Sequence, residues 1–178
     1  MFLFFGLFRR VGRTGGRWRF VSRARANHVL WGWLQIGEVH AVDELPPGAL
    51  GWARYHPHFQ GNRDSNTLYI ATDRLRLNGK DLYTPGAGVF GRLDGRLVLT
   101  DPDVGSLTRW RLPGACFPDS GKPPLSYHGD PGRWQRGDGF CTVRTVPRGQ
   151  EFVLDTARYP GVTDWLSDML ANRLLPGV

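Results

Sequence analysis

"HVLWGWLQIGEVHAV", residues 28–42, decides the fold class. The stretch is rich in aromatic and β-branched residues and holds no proline, so it reads as a long strand. Gly32 and Gly37 interrupt it. Glycine inside a strand marks a bulge, a bend, or the close approach of another backbone. A long strand marked this way implies a sheet that bends.

Toward the N-terminus, "MFLFFGLFRR" is apolar for eight residues and then basic. A signal peptide carries its charges first, and a membrane span needs about 20 apolar residues. The segment reads instead as a strand buried on both faces, ended by Gly6 or by Arg9 and Arg10. Termini usually lie at the surface, so this opening leads to the expectation that the polypeptide is the latter part of a longer domain, with Met1 an internal or misassigned start. "RTGGRW" turns on Gly15 and Gly16, and "RWRFVSR" is the return strand of a hairpin.

Toward the C-terminus, "ELPPGALG" closes the long strand and residues 52–65 hold little regular structure. "NTLYIA" is a strand, "RLRLNGKDL" turns at Asn78–Gly79, and "TPGAGVFGRLDGRLVLT" is read as a hairpin around Asp94–Gly95. "SLTRWRLP", "FCTVRTV" and "QEFVLD" are further strands, with a long loop over residues 113–139. One helix is expected from Val162. Its apolar face is Val162, Trp165, Leu166, Met169, Leu170 and Leu174, capped by Thr163 or a neighbour and stopped at Pro176–Gly177. Together this gives an α+β, mostly β chain: a single domain over residues 1–178, with a bent sheet or small barrel and a C-terminal helix.

Composition agrees. Of 178 residues, 24 are Gly and 13 Pro, which suits short strands and turns. The net charge of +7 is uneven. Residues 1–37 carry Arg9, Arg10, Arg13, Arg17, Arg19, Arg23 and Arg25 and no acid; the remainder balances. Arginine pairs with phosphate through a planar fork and stacks on aromatic rings. Arg9, Arg10, Arg17 and Arg19, with Arg109 and Arg148 further on, are therefore candidate contacts to nucleic acid or a nucleotide. An Arg-rich genome coding bias is the competing explanation. Cys116 and Cys141 fit neither a zinc pattern nor a disulfide framework, so a reduced, cytoplasmic setting is expected, with no membrane partner.

Three segments offer chemistry. In "RYHPHF", Pro57 holds His56 extended, so His56 and His58 project to one side. A metal would need a third ligand, with His128 beside Asp130 the best candidate and Cys116 and His40 weaker ones. The alternatives are a loop whose rings bond backbone, or a pair touching a ligand. We assign no metal and name no cofactor. "PPLSYHGDPGRW" gathers Ser126, Tyr127, His128, Asp130, Arg133 and Trp134; without a Gly-x-Ser-x-Gly elbow it is not a serine hydrolase motif. "LTRWRLP" sets Arg109 and Arg111 on one strand face, able to hold a phosphate, with Trp110 opposite. "RGQEF" adds Arg148, Gln150 and Glu151. The glycine-rich "GAGVFGRLDG" is no nucleotide triphosphate loop.

"FLFFGLFR", "HVLWGWLQIGEV", "HPHF", "NTLYIA", "GAGVF", "WRLP", "PPLSYH", "RW" and "RGQEFVLD" followed by "YP" occur in this order from Phe2 to Trp165. As an ordered set they resemble the type-3 nucleotide modification associated domain family, whose members carry a further portion ahead of "FLFFG". The resemblance implies a part in modifying DNA nucleotides. The motif positions it carries over are His56, His58, Asn66, Trp110, Arg111, Ser126, Tyr127, His128, Arg148, Gln150 and Glu151. The strand order is also similar to PUA-like barrels, which bind RNA or modified bases. The expected function is action on, or binding of, nucleobases, with His56, His58 and His128 supplying acid–base chemistry. A noncatalytic reader, with a flipped base between aromatics such as Trp31 or Trp110, and an inactive truncated remnant are the alternatives.

Overall fold

The computed structural model describes residues 1–60, 66–119, 121–146 and 151–171. Its strands are β1 (Phe2–Arg9), β2 (Val11–Thr14), β3 (Arg17–Phe20), β4 (Ala26–Leu34), β5 (Ile36–Ala41), β6 (Thr67–Ala71), β7 (Arg74–Leu77), β8 (Lys80–Pro85), β9 (Ala87–Val89), β10 (Arg109–Pro113), β11 (Trp134–Arg136) and β12 (Phe140–Arg144). One helix, α1 (Pro160–Ala171), follows. All named pairings are antiparallel. Two three-stranded sheets run β1–β4–β9 and β10–β12–β11, beside the pairs β2–β3, β5–β6 and β7–β8. The chain is mostly β with a C-terminal helix, as expected, but the described strands do not close into the small barrel the sequence suggested.

The long strand is two strands. It breaks at Gln35, whose backbone N–H bonds Gly86 and whose carbonyl accepts from Thr72. The Gln35 side chain holds both polar groups of the Arg76 backbone. β4 therefore pairs with β1 and β9, whereas β5 turns away to pair with β6. Both glycines act as such positions should. Gly37 is the unpaired residue where the β5–β6 register shifts. A Cβ on Gly32 would stand 2.8 Å from the Gly88 carbonyl. A second shift, between Phe4 and Phe5, leaves Trp31 as the extra residue of β4 and turns it outward.

β1 is not buried on both faces. Leu3 and Phe5 join the main core. Phe2 and Phe4 lie on the other face, against Tyr69 and Trp31. Leu7 and Phe8 are exposed. Two further expectations fail. Asp94 does not head a hairpin turn; its carboxylate caps a 3-10 turn at Gly95–Leu97 through the Arg96 N–H. Residues 151–155 form no strand. The helix begins at Pro160, with Thr163 in its first turn rather than capping it, and buries Val162, Thr163, Leu166, Met169 and Leu170. Leu174 and Pro176–Gly177 lie outside the described residues.

Residues 98–101 join the two larger sheets. Val98 bridges Val29 of β4, and Thr100 bridges Trp110 of β10. Leu99 donates to the His28 carbonyl and accepts from Arg111, while Asp101 donates to the Arg109 carbonyl. Around this seam lies the main core: Val29, Leu30, Trp33, Leu97, Leu99, Trp110, Cys141 and Val143, closed by α1. A smaller cluster of Val42, Ala53 and Leu68 sits under the His56–His58 loop.

Candidate functional site

β10 places Trp110 inward and Arg109 and Arg111 outward, as strand alternation requires. The seam delivers Asp101, only 3% exposed, between the two guanidinium groups. Arg111 Nη2 donates to Asp101 Oδ1 at 2.8 Å and to Asp103 Oδ2; Arg109 Nε lies 3.6 Å from Asp101 Oδ2. Arg109 also donates to Gln135 and, at 3.0 Å, to Thr142. The hydrogen bond to Asp103 raises the Arg111 pKa further. The arginine pair is thus met by an acidic pair.

The Arg111 guanidinium also lies 4.5 Å over the Phe140 ring. Beside it opens a cleft of about 460 Å³, lined by Arg96, Val98, Thr100, Leu112, Phe140 and Trp165 among others. Its surface is mostly apolar, and among the described residues its lining contains no histidine, carboxylate or thiol. At its rim Asp94 pairs with Arg96 at 2.9 Å, and that hydrogen bond lowers the Asp94 pKa to about 2.

Behind β10 runs a chain of rings. His28 meets Trp110 edge-on, Trp110 meets Phe5 and Phe152, and Phe152 meets His128 at 4.8 Å. Trp110 Nε1 donates to His28 Nδ1 at 3.0 Å. His128 is fully buried; its Nδ1 donates to the Ser126 carbonyl at 2.6 Å, and its Nε2 has no hydrogen-bond partner among the described residues. Burial lowers the pKa of both imidazoles, against the opposing hydrogen bonds that His28 makes to the Leu107 backbone and His128 donates to the Ser126 carbonyl.

His56 and His58 stand apart from that chain. Their rings meet edge-on at 4.8 Å. His56 Nδ1 accepts the His58 backbone N–H and caps the 3-10 turn Pro57–Phe59, and His58 Nδ1 donates to the Thr67 carbonyl at 3.0 Å. Asn66 reaches the His58 carbonyl. Among the described residues no ring contact, hydrogen bond or cavity links this pair to His128.

Trp110 is buried, with its indole proton already bonded. Trp31 is 41% exposed and stacks on Phe4. Ser126 is engaged twice with Val153: its Oγ accepts the Val153 N–H at 2.8 Å and its own N–H bonds the Val153 carbonyl. Tyr127 is exposed at a left-handed backbone position, and Glu151 is exposed. Arg148 and Gln150 lie outside the described residues. Arg9, Arg10, Arg17 and Arg19 are all exposed on or beside the β2–β3 hairpin. No helix among the described residues is long and apolar enough to cross a membrane.

Sequence reasoning missed Asp101, Asp103, Phe140, Trp165 and His28. One signal was available: "DPD" at 101–103 and "RWR" at 109–111 have matching period-two charges on either side of a turn-rich gap.

The family model described as nucleotide modification associated domain 3 matches residues 1–155, and the chain belongs to that family. Searches of curated proteins and of solved structures found no match.

Proposed function

We propose that this chain binds a nucleobase of DNA in the cleft beneath Arg111 as its part in nucleotide modification. The family membership supports the general class. The observation that carries the site is the Arg111 guanidinium, clamped by Asp101 and Asp103 and laid over Phe140 at the cleft wall. An apolar cleft lined by Phe140 and Trp165 suits a planar heterocycle. Because the arginine charges are already met, the face suits the hydrogen-bonding edge of a neutral base better than a phosphate. Phosphates fall to the N-terminal arginines, which meet no acid nearby in sequence.

The apolar lining of the cleft among the described residues suits holding a base. Of the three histidines proposed for acid–base work, His128 alone has a buried lone pair without a partner. The test is calorimetric titration with the four deoxynucleoside monophosphates. Binding that weakens at least about tenfold (~1.4 kcal/mol) in Trp165→Ala and in Arg96→Ala is expected. Binding that is absent from the native chain, or unchanged in both variants, removes the proposal.

A further inference from the structure

The β2–β3 hairpin lies open to solvent. Among the described residues both strands pair only with each other, and every residue from Arg13 to Phe20 is exposed. The register pairs Val11 with Phe20 and Arg13 with Trp18. Directly opposed residues share a face, so Val11, Arg13, Trp18 and Phe20 form one surface and Arg17 and Arg19 point to the other. Trp18 is 70% exposed and Phe20 64%. Arg9 lies 5.2 Å over the Phe20 ring. None of the arginines from Arg9 to Arg19 forms an ion pair among the described residues.

We propose that this hairpin is an arm that holds single-stranded nucleic acid, with bases stacked on Trp18 and Phe20 and phosphates on the flanking arginines. This rests on the nucleic-acid reading above and names the form in which the strand is met. Two large aromatic rings left in water beside uncompensated cations are what base stacking and phosphate contact require. Spacing selects the single strand. Residues two apart on a strand are about 6.7 Å apart, twice the roughly 3.4 Å per nucleotide of a duplex strand. Rings so spaced match bases that have been drawn apart, and a paired duplex hides its base faces. Charge complementarity commits the surface to a polyanion, because all seven arginines of residues 1–37 lack an acid within that segment.

The test is fluorescence anisotropy of the whole protein with a labelled 15-nucleotide oligothymidylate, the same length of duplex DNA, and vesicles containing phosphatidylglycerol. Tighter binding of the single strand is expected. It should fall at least tenfold in Trp18→Ala/Phe20→Ala, and the slope of log K against log salt should lessen by about 1.4 in Arg9→Ala/Arg13→Ala, the arginines on the aromatic face, roughly 0.7 per contact. Thermal midpoints within about 2 °C of the native chain show that the variants fold, since the altered side chains make no core contact. Equal duplex affinity, an unaffected Trp18→Ala/Phe20→Ala variant, or vesicle binding without oligonucleotide binding would overturn the proposal. The mononucleotide titration separates the two readings. If the oligonucleotide fails while mononucleotides still bind at Trp165, the arm is wrong and the cleft stands.

Discussion

The indole N–H of Trp110 donates to His28 Nδ1 at 3.0 Å, across 82 residues of chain. It fixes the tautomer of His28 and ties β10 to β4 at the seam that also carries Asp101. Trp110→Phe keeps most of the ring packing and removes the donor. We expect a loss of about 1–3 kcal/mol, the usual effect of leaving a buried acceptor unpaired, seen as a lower urea midpoint with an unchanged slope. A midpoint equal to the native one would show that the hydrogen bond contributes nothing.

Asp101→Asn tests the clamp. The carboxylate is buried, and both arginines are about a third exposed. Breaking a fully buried pair costs about 3–5 kcal/mol; with solvent screening the arginines, we expect roughly 1–3 kcal/mol by denaturation. Nucleotide binding should weaken as well, because Arg111 loses one of the two carboxylates that hold it over Phe140. Unchanged nucleotide affinity would mean that the clamp does not position Arg111 for binding.

Burial holds His28 and His128 below the ordinary histidine value. In mildly acidic solution the unfolded chain therefore binds more protons than the folded one. Stability is full above about pH 6.5, falls as the pH drops below it, and levels off beneath the folded pKa values. Denaturation at pH 7.5 and pH 5 should show this loss, and His128→Gln should show a smaller one. An equal loss in the variant would assign the acid sensitivity elsewhere.

Cys116 and Cys141 are free, buried, and shifted by that burial to a pKa of about 12. The thiolate is the reactive form. An aromatic disulfide reagent at pH 8 should therefore label neither thiol in the native chain and both in guanidinium. Rapid native labelling of either one would contradict the packing around β12 and α1.

Gly32→Ala places a Cβ against the Gly88 carbonyl, which cannot swing aside as a side chain can. We expect about 1–3 kcal/mol of destabilisation. Gly95→Ala meets no atom within 4 Å and serves as the control, with an effect inside about 0.5 kcal/mol. Similar midpoints for the two variants would refute the close approach of β4 and β9.

Local pattern determined most of the elements. The Asn78–Gly79 and Gly15–Gly16 turns, the alternation of "RWR", the helical face of α1 and the special standing of Gly32 and Gly37 all follow from steric preference and period, which neighbouring residues fix among themselves. The uncompensated arginines of the first segment were also legible, since charge needs no fold to be counted. Partners were not. That Gln35 splits the long strand, that residues 98–101 carry Asp101 between Arg109 and Arg111, and that Trp165 and Phe140 wall one cleft depend on segments tens of residues apart meeting. The same holds for the different surroundings of the His56–His58 pair and of His128. Two residues apart, the first pair is bound together by chain geometry; the third ring goes where the core has room for it, and only the packing of the whole chain decides that.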